Sequence, residues 1–133
     1  LFYSEIERPN KTIRWVNAGH EPAMIFDPVT DTFSDLNGGN NLALGVFEDT
    51  DFKEAQQEIA TGQIIVMATD GIWEARNPKG EMFSRDRIHN IIRRNAAKTA
   101  SDIQNAILDS LKRFQKDVKL EDDMTLVVIK ITR

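Results

Sequence analysis

Gln63-Ile64-Ile65-Val66-Met67-Ala68-Thr69-Asp70-Gly71 is the stretch on which the fold turns. Every residue from Ile64 to Ala68 is apolar, with no polar face to give to water, so the segment reads as a strand covered on both sides. Thr61-Gly62 breaks the chain before it, and Asp70-Gly71 stops it. A second run, Met124-Thr125-Leu126-Val127-Val128-Ile129-Lys130-Ile131, is also apolar on most of both faces, and it follows directly on Glu121-Asp122-Asp123. Two strands that need cover on both faces call for a layered structure.

The remaining segments supply the layers. Leu1 to Glu7 reads as a strand, Pro9-Asn10-Lys11 as a turn, and Thr12 to Asn17 as a strand with apolar/polar alternation. Pro22 to Phe26 is an apolar strand that ends at the turn opener Asp27-Pro28. Asn37 to Asn41 is loop by composition, and a polar strand runs from about Phe52 to Ile59. Beyond Gly71 the periodicity turns helical. Ser84 stands where it can cap a helix from Arg85 to Asn95, with Ile88, Ile91 and Ile92 as its apolar stripe. Thr99-Ala100-Ser101-Asp102 is a capping box opening a helix whose stripe is Ile103, Ile107, Leu111, Phe114 and Val118. Strands, then helices, then one returning strand predict an α+β sandwich.

At 133 residues, with 41% hydrophobic and 29% charged, the chain fits one domain of residues 1–133. A net charge of -4 and the absence of cysteine remove a basic nucleic-acid footprint, a disulfide framework and a thiolate nucleophile or zinc site. Arg85, Arg87, Arg93 and Arg94 form the sole basic cluster, diluted enough to read as the wet edge of a helix. No apolar run approaches the ~20 residues of a membrane span. A reducing cytoplasm suits the cysteine-free composition. The opening residues already read as a strand in progress, and the expectation is a piece of a longer protein.

The reactive-looking groups are carboxylates at strand ends. Asp70 follows one buried strand, and Asp122 and Asp123 precede another. A carboxylate beside a buried run needs compensation, and a divalent cation provides it; Mg²⁺ and Mn²⁺ select such oxygen ligands. Alternation along an extended segment predicts that Asp122 and Asp123 point to opposite sides, so that one of them is the direct ligand. Each feature alone has a plainer reading: Asp-Gly is a common hairpin turn, Glu121-Asp122-Asp123 a solvated turn, and Asn17-Ala18-Gly19-His20 a turn with a surface histidine.

Taken in order, Asn17-Ala18-Gly19-His20-x-Pro22, Leu44-Gly45-Val46, Ala68-Thr69-Asp70-Gly71-x-x-Glu74-Ala75-Arg76-Asn77 and Asp122-Asp123-Met124-Thr125 resemble the SpoIIE/RsbU branch of the PP2C-like (PPM) serine/threonine phosphatases. The resemblance covers essentially the whole chain. It implies the C-terminal part of an α-β-β-α sandwich, lacking its N-terminal strands and first helix region, with two or more Mn²⁺ or Mg²⁺ ions at one end. Metal-activated hydroxide would then attack a phosphoserine or phosphothreonine directly. Carried across, Asp70 and Asp122 match metal ligands on which catalysis depends. Asp123 falls beside them as a further metal residue, where relatives outside this branch often have Asn. Gly71 matches the glycine that lets backbone pass close to the metal. His20 belongs to the supporting loop and carries no chemical step. The implied partner is a phosphorylated STAS-domain anti-anti-sigma protein, with a sensor or receiver domain upstream and no nucleic acid.

Two departures stand out. Ala43 occupies the place where relatives usually have a proline before Leu-Gly. The family's N-terminal Gly-Asp block, whose aspartate bridges both metals, and its Gly-His-Gly block have no counterpart, so residues 1–133 are expected to hold part of a metal site and to be inactive alone. The first strand would then lie at an open edge with Phe2 and Ile6 exposed, an invitation to self-association. The alternative function, in another class, is a non-catalytic module that binds its partner without hydrolysis.

Overall fold

The computed structural model of the chain describes residues 1–116, 118 and 123–132. Its elements are β1 (Phe2–Glu7), β2 (Thr12–Ala18), β3 (Met24–Asp27), β4 (Thr32–Asp35), β5 (Asn40–Asn41), β6 (Ala55–Glu58), β7 (Ile64–Ala68), α1 (Arg85–Asn95), α2 (Ala100–Gln115) and β8 (Leu126–Lys130), with one 3₁₀ turn at Asp70–Ile72. In the first sheet β2 carries antiparallel β1 on one side and, on the other, antiparallel β6 and a short parallel pairing with β5. The second sheet runs β4-β3-β7-β8, antiparallel throughout.

Two cores make three layers of this. Ile13, Trp15, Ile25, Leu36 and Ile65 fill the space between the sheets. Met24, Phe26, Ile64 and Val66 on the other face of the second sheet meet Ile88 and Ile92 of α1 and Ile103, Ile107 and Leu111 of α2. β7 therefore contributes to both cores, and its unbroken apolar run is the consequence: Ile64 and Ile65 are wholly buried though they face opposite ways. The α+β sandwich is the architecture expected, with helices on the second sheet.

β8 has the layered position its sequence implies. Leu126 and Val128 pack toward the helices, and Ile129 and Ile131 toward the core between the sheets. It is nevertheless the edge strand of its sheet, and Val127 is 42% exposed. Phe2 and Ile6, expected to be exposed at the β1 edge, instead pack against the inter-sheet core. Alternation in β1 turns them inward and leaves Tyr3 and Glu5 outside.

β4 has no clear sequence signal, and α1 explains why it forms. Asp35 pairs with Arg85 at 2.5 Å, Phe33 stacks on His89 with ring centroids 3.9 Å apart, and Asp31 pairs with Arg93 at 2.8 Å. Four helical residues rise about 6 Å and two strand residues about 6.6 Å, so positions i, i+4, i+8 of a helix match i, i+2, i+4 of a strand. The basic cluster read as a wet helix edge is thus partly engaged.

Thr99 caps α2 as its motif predicts: its hydroxyl accepts the Asp102 N–H at 3.1 Å and the Asp102 carboxylate accepts the Thr99 N–H. Ser84 does not cap α1. Its φ of 70° departs from the extended backbone of a capping serine, because its N–H is committed to the Trp73 carbonyl at 2.8 Å while Phe83 is drawn into the core. α2 ends at Gln115, where Lys116 takes a positive φ of 52°, so Val118 lies beyond the helix and its N–H returns to the Gln115 carbonyl. The polar strand read over Phe52 to Ile59 is paired only across β6.

Candidate metal and catalytic site

β7 carries the chain from full burial to the surface within a few residues. Ala68 is 6% exposed, whereas Asp70 lies in the open at the start of the 3₁₀ turn. Its Oδ1 accepts the Gly71 N–H at 3.0 Å, a local bond that fixes the carboxylate without consuming its other lone pairs. The turn is tied down by backbone bonds from Ile72 to Thr69 and from Glu74 to Asp70.

Gly71 is the pivot. A Cβ built on it would sit 2.8 Å from the carbonyl oxygen of Asp123, a distance no real side chain tolerates against backbone. Only glycine lets the segment before β8 approach so closely. Thr69 ties the same two strand ends: its N–H donates to the Thr125 carbonyl (3.1 Å), its hydroxyl donates to the Asp123 carbonyl (3.1 Å), and that hydroxyl accepts the Thr125 N–H (2.9 Å). The Asp70 turn is thereby held next to the backbone of Asp123.

Asp123 is exposed in that segment, and Asp122 lies outside the described residues. β8 starts only at Leu126, so Asp123 precedes the strand. Among the described residues no three His, Cys, Asp or Glu side chains converge on one point. The donors present are hard carboxylate oxygens at two apposed strand ends, and that chemistry fits Mg²⁺ or Mn²⁺ rather than a soft metal.

The Asn17-Ala18-Gly19-His20 motif works differently. Asn17 is 3% exposed; its Oδ1 accepts the His20 N–H and its Nδ2 donates to the His20 carbonyl, both at 2.8 Å. Gly19 has a φ of +75°, and a Cβ there would lie 2.8 Å from the Cβ of Ala43. That contact docks the Leu42 to Val46 loop, in which Ala43 accepts the Val46 N–H across a turn at Gly45. Asn41 locks the neighbouring backbone, donating to Asn17 and Lys53 carbonyls and accepting the Lys53 N–H. The amide of Asn17 and the glycine of the motif are thus spent on holding the fold's own loops. Sequence reasoning passed over Thr69 and the clamping amides of Asn17 and Asn41; a hydroxyl directly before Asp-Gly at a strand end was the one available signal.

The family model for stage II sporulation protein E (SpoIIE) matches residues 1–132. Phosphoserine phosphatase RsbU of Bacillus subtilis is 32% identical over 130 residues, which cover 98% of this chain and 38% of RsbU. The SiaA PP2C domain of Pseudomonas aeruginosa superposes with a TM-score of 0.81 at 19% identity, covering 98% of this chain and 50% of its own. The PP2C domain of SpoIIE from Bacillus subtilis gives 0.73 at 23% identity, over 96% of this chain and 36% of that one; its phosphatase domain has also been solved after a manganese presoak. The fold is that of a PP2C-type phosphatase domain. The chain belongs to the SpoIIE family, and it spans well under half the length of RsbU.

Proposed function

We propose that this protein hydrolyses phosphoserine or phosphothreonine on a regulatory protein in bacterial signalling, using Mn²⁺ or Mg²⁺ held at the β7–β8 end of the sandwich. The observation that supports the reading is the apposition of Gly71, next to the exposed Asp70, and the carbonyl of the exposed Asp123. Membership of the SpoIIE family and 32% identity to a phosphoserine phosphatase support it.

In this reading Asp70 and Asp122 are first-rank metal ligands and Asp123 a secondary one. The metal supplies a water of lowered pKa and neutralises phosphoryl charge. The chain's own contribution is placement. β7 and β8 are paired and packed into both cores, and Gly71 keeps the approach to Asp123 free of side-chain bulk. The absence of cysteine suits a route with no thiol phosphoenzyme. The phosphorylated partner is read as a STAS-domain anti-anti-sigma protein, and regulation as coming from a sensor or receiver domain in the same polypeptide.

The test is phosphate release from a phosphoserine-bearing STAS protein by the full-length protein with Mn²⁺, with Mg²⁺ and with EDTA. Metal-dependent release that EDTA stops is expected. Tight binding of the phosphoprotein with no release under any metal would establish the non-catalytic module instead.

A further inference from the structure

We infer that Thr69 is a positioning residue for the metal site, a latch whose hydroxyl holds the backbone of Asp123 next to the Asp70 turn. The inference rests on the phosphatase reading above. Thr69 stands between the last buried residue of β7 and Asp70, so its own backbone cannot move without moving that carboxylate. Its hydroxyl then reaches across to the other acidic segment. It donates to the carbonyl of Asp123 and accepts the N–H of Thr125, while its N–H reaches the Thr125 carbonyl.

The hydroxyl bonds carry the contact beyond the backbone ladder. The β7–β8 pairing runs to Ala68↔Leu126, and one backbone bond, from the Thr69 N–H to the Thr125 carbonyl, continues it by a residue. A single hydroxyl, acting as donor and acceptor at once, extends the registry to the carbonyl of Asp123. Gly71 supplies the complementary condition, because its missing side chain permits the approach that Thr69 fixes. A glycine allows closeness but does not enforce it; enforcement falls to the threonine.

Metal affinity is sensitive to such partners, since a ligand held in the wrong place loses its share of the coordination. Loss of an orienting partner typically weakens metal binding 10–100-fold. Valine keeps the shape of threonine and removes both hydrogen-bonding roles; serine keeps both roles and removes a methyl group.

The experiment compares full-length wild type, Thr69→Val and Thr69→Ser. Mn²⁺ binding is followed by electron paramagnetic resonance, phosphatase turnover by phosphate release, and folding by thermal melting without metal. Thr69→Val is expected to bind Mn²⁺ about tenfold or more weakly, and to need correspondingly more Mn²⁺ for half-maximal turnover, while Thr69→Ser stays within about threefold of wild type. Wild-type Mn²⁺ affinity in Thr69→Val would overturn the latch. So would a loss in Thr69→Val that Thr69→Ser shares in full, or one that scales with its melting temperature, since a purely structural role produces both. A wild-type protein that binds Mn²⁺ but releases no phosphate sinks the phosphatase reading alone, and the affinity ratio among the variants still decides the latch.

Discussion

Two strand-end turns in this molecule each join a polar residue to a close-packed glycine, and they use the combination in opposite ways. At the end of β2, Asn17 is buried and spends both ends of its amide on the backbone of His20, while Gly19 seats Ala43. After β7, Asp70 is exposed with one short-range bond to Gly71, while Gly71 seats the backbone of Asp123. A buried polar group with every partner supplied by its own fold is building material. An exposed carboxylate with spare lone pairs has capacity for a ligand. The contrast teaches that a motif's chemistry is read from what its polar atoms have left over.

The sharpest way to break the comparison is exchange of the two polar residues' roles by mutation. Asp70→Asn, and likewise Asp122→Asn, is expected to lower metal-dependent turnover of the full-length protein by ~100-fold or more, since indirect partners of a metal already cost about 10–100-fold. Stability in the absence of metal should hold within about 0.5 kcal/mol for Asp70→Asn, as for other exposed sites. Asp123→Asn is expected to be milder than either. Phosphate release and urea melts decide this, and a greater loss in Asp123→Asn than in Asp122→Asn would reverse the proposed ligand ranking.

Asn17→Ala sits on the other side. It strands a backbone N–H and a carbonyl in a part-buried turn, at about 1–3 kcal/mol for each group left unsatisfied. The expected outcome is a protein destabilised by roughly 2–4 kcal/mol in urea titration, with the Mn²⁺ requirement of the folded fraction unchanged.

The α1–β4 register offers a pH-dependent test of a region far from either turn in sequence. Burial, then the positive charge of Arg85, holds the His89 imidazole below its ordinary pKa; Arg93 acts the same way, and Asp86 and Asp35 oppose. Its Nε2 is buried without a hydrogen-bond partner among the described residues, and Phe33 covers its ring. The unfolded chain therefore binds a proton more readily than the fold does. Stability is fully present above the unfolded imidazole value near 6.5 and falls as pH drops from there toward the lowered folded value. Melting temperature should decline over that window in wild type and less in His89→Gln. The smallest effect is at the α2 cap, where Thr99→Ala should cost about 1 kcal/mol in a denaturant melt and leave turnover per folded molecule intact.

What the sequence disclosed follows the strength of the physical signal in each segment. β7 was legible because cover on both faces demands apolar residues at every position, and β8 because most of its residues pack toward one core or the other. α2 was legible because its stripe and its capping box agree on where it starts. β4 was not, since Thr32 to Asp35 is short and polar and becomes a strand through partners on α1, fifty or more residues away. Ser84 misled because residue type favours a cap, while tertiary demands on Phe83 and Trp73 set its backbone. At the candidate site the carboxylates were visible as acidic groups abutting apolar runs. Thr69 was hidden, because a hydroxyl's role depends on what lies across from it, and that is settled by the β7–β8 pairing.

The most direct measurement is Mn²⁺ titration of the full-length protein and its Asp70→Asn variant by electron paramagnetic resonance, with melting curves taken on the same samples. Saturable binding by wild type, weakened at least tenfold in a variant that melts as wild type does, is the expected result. Equal affinity in the two proteins would contradict the placement of the metal at the end of β7.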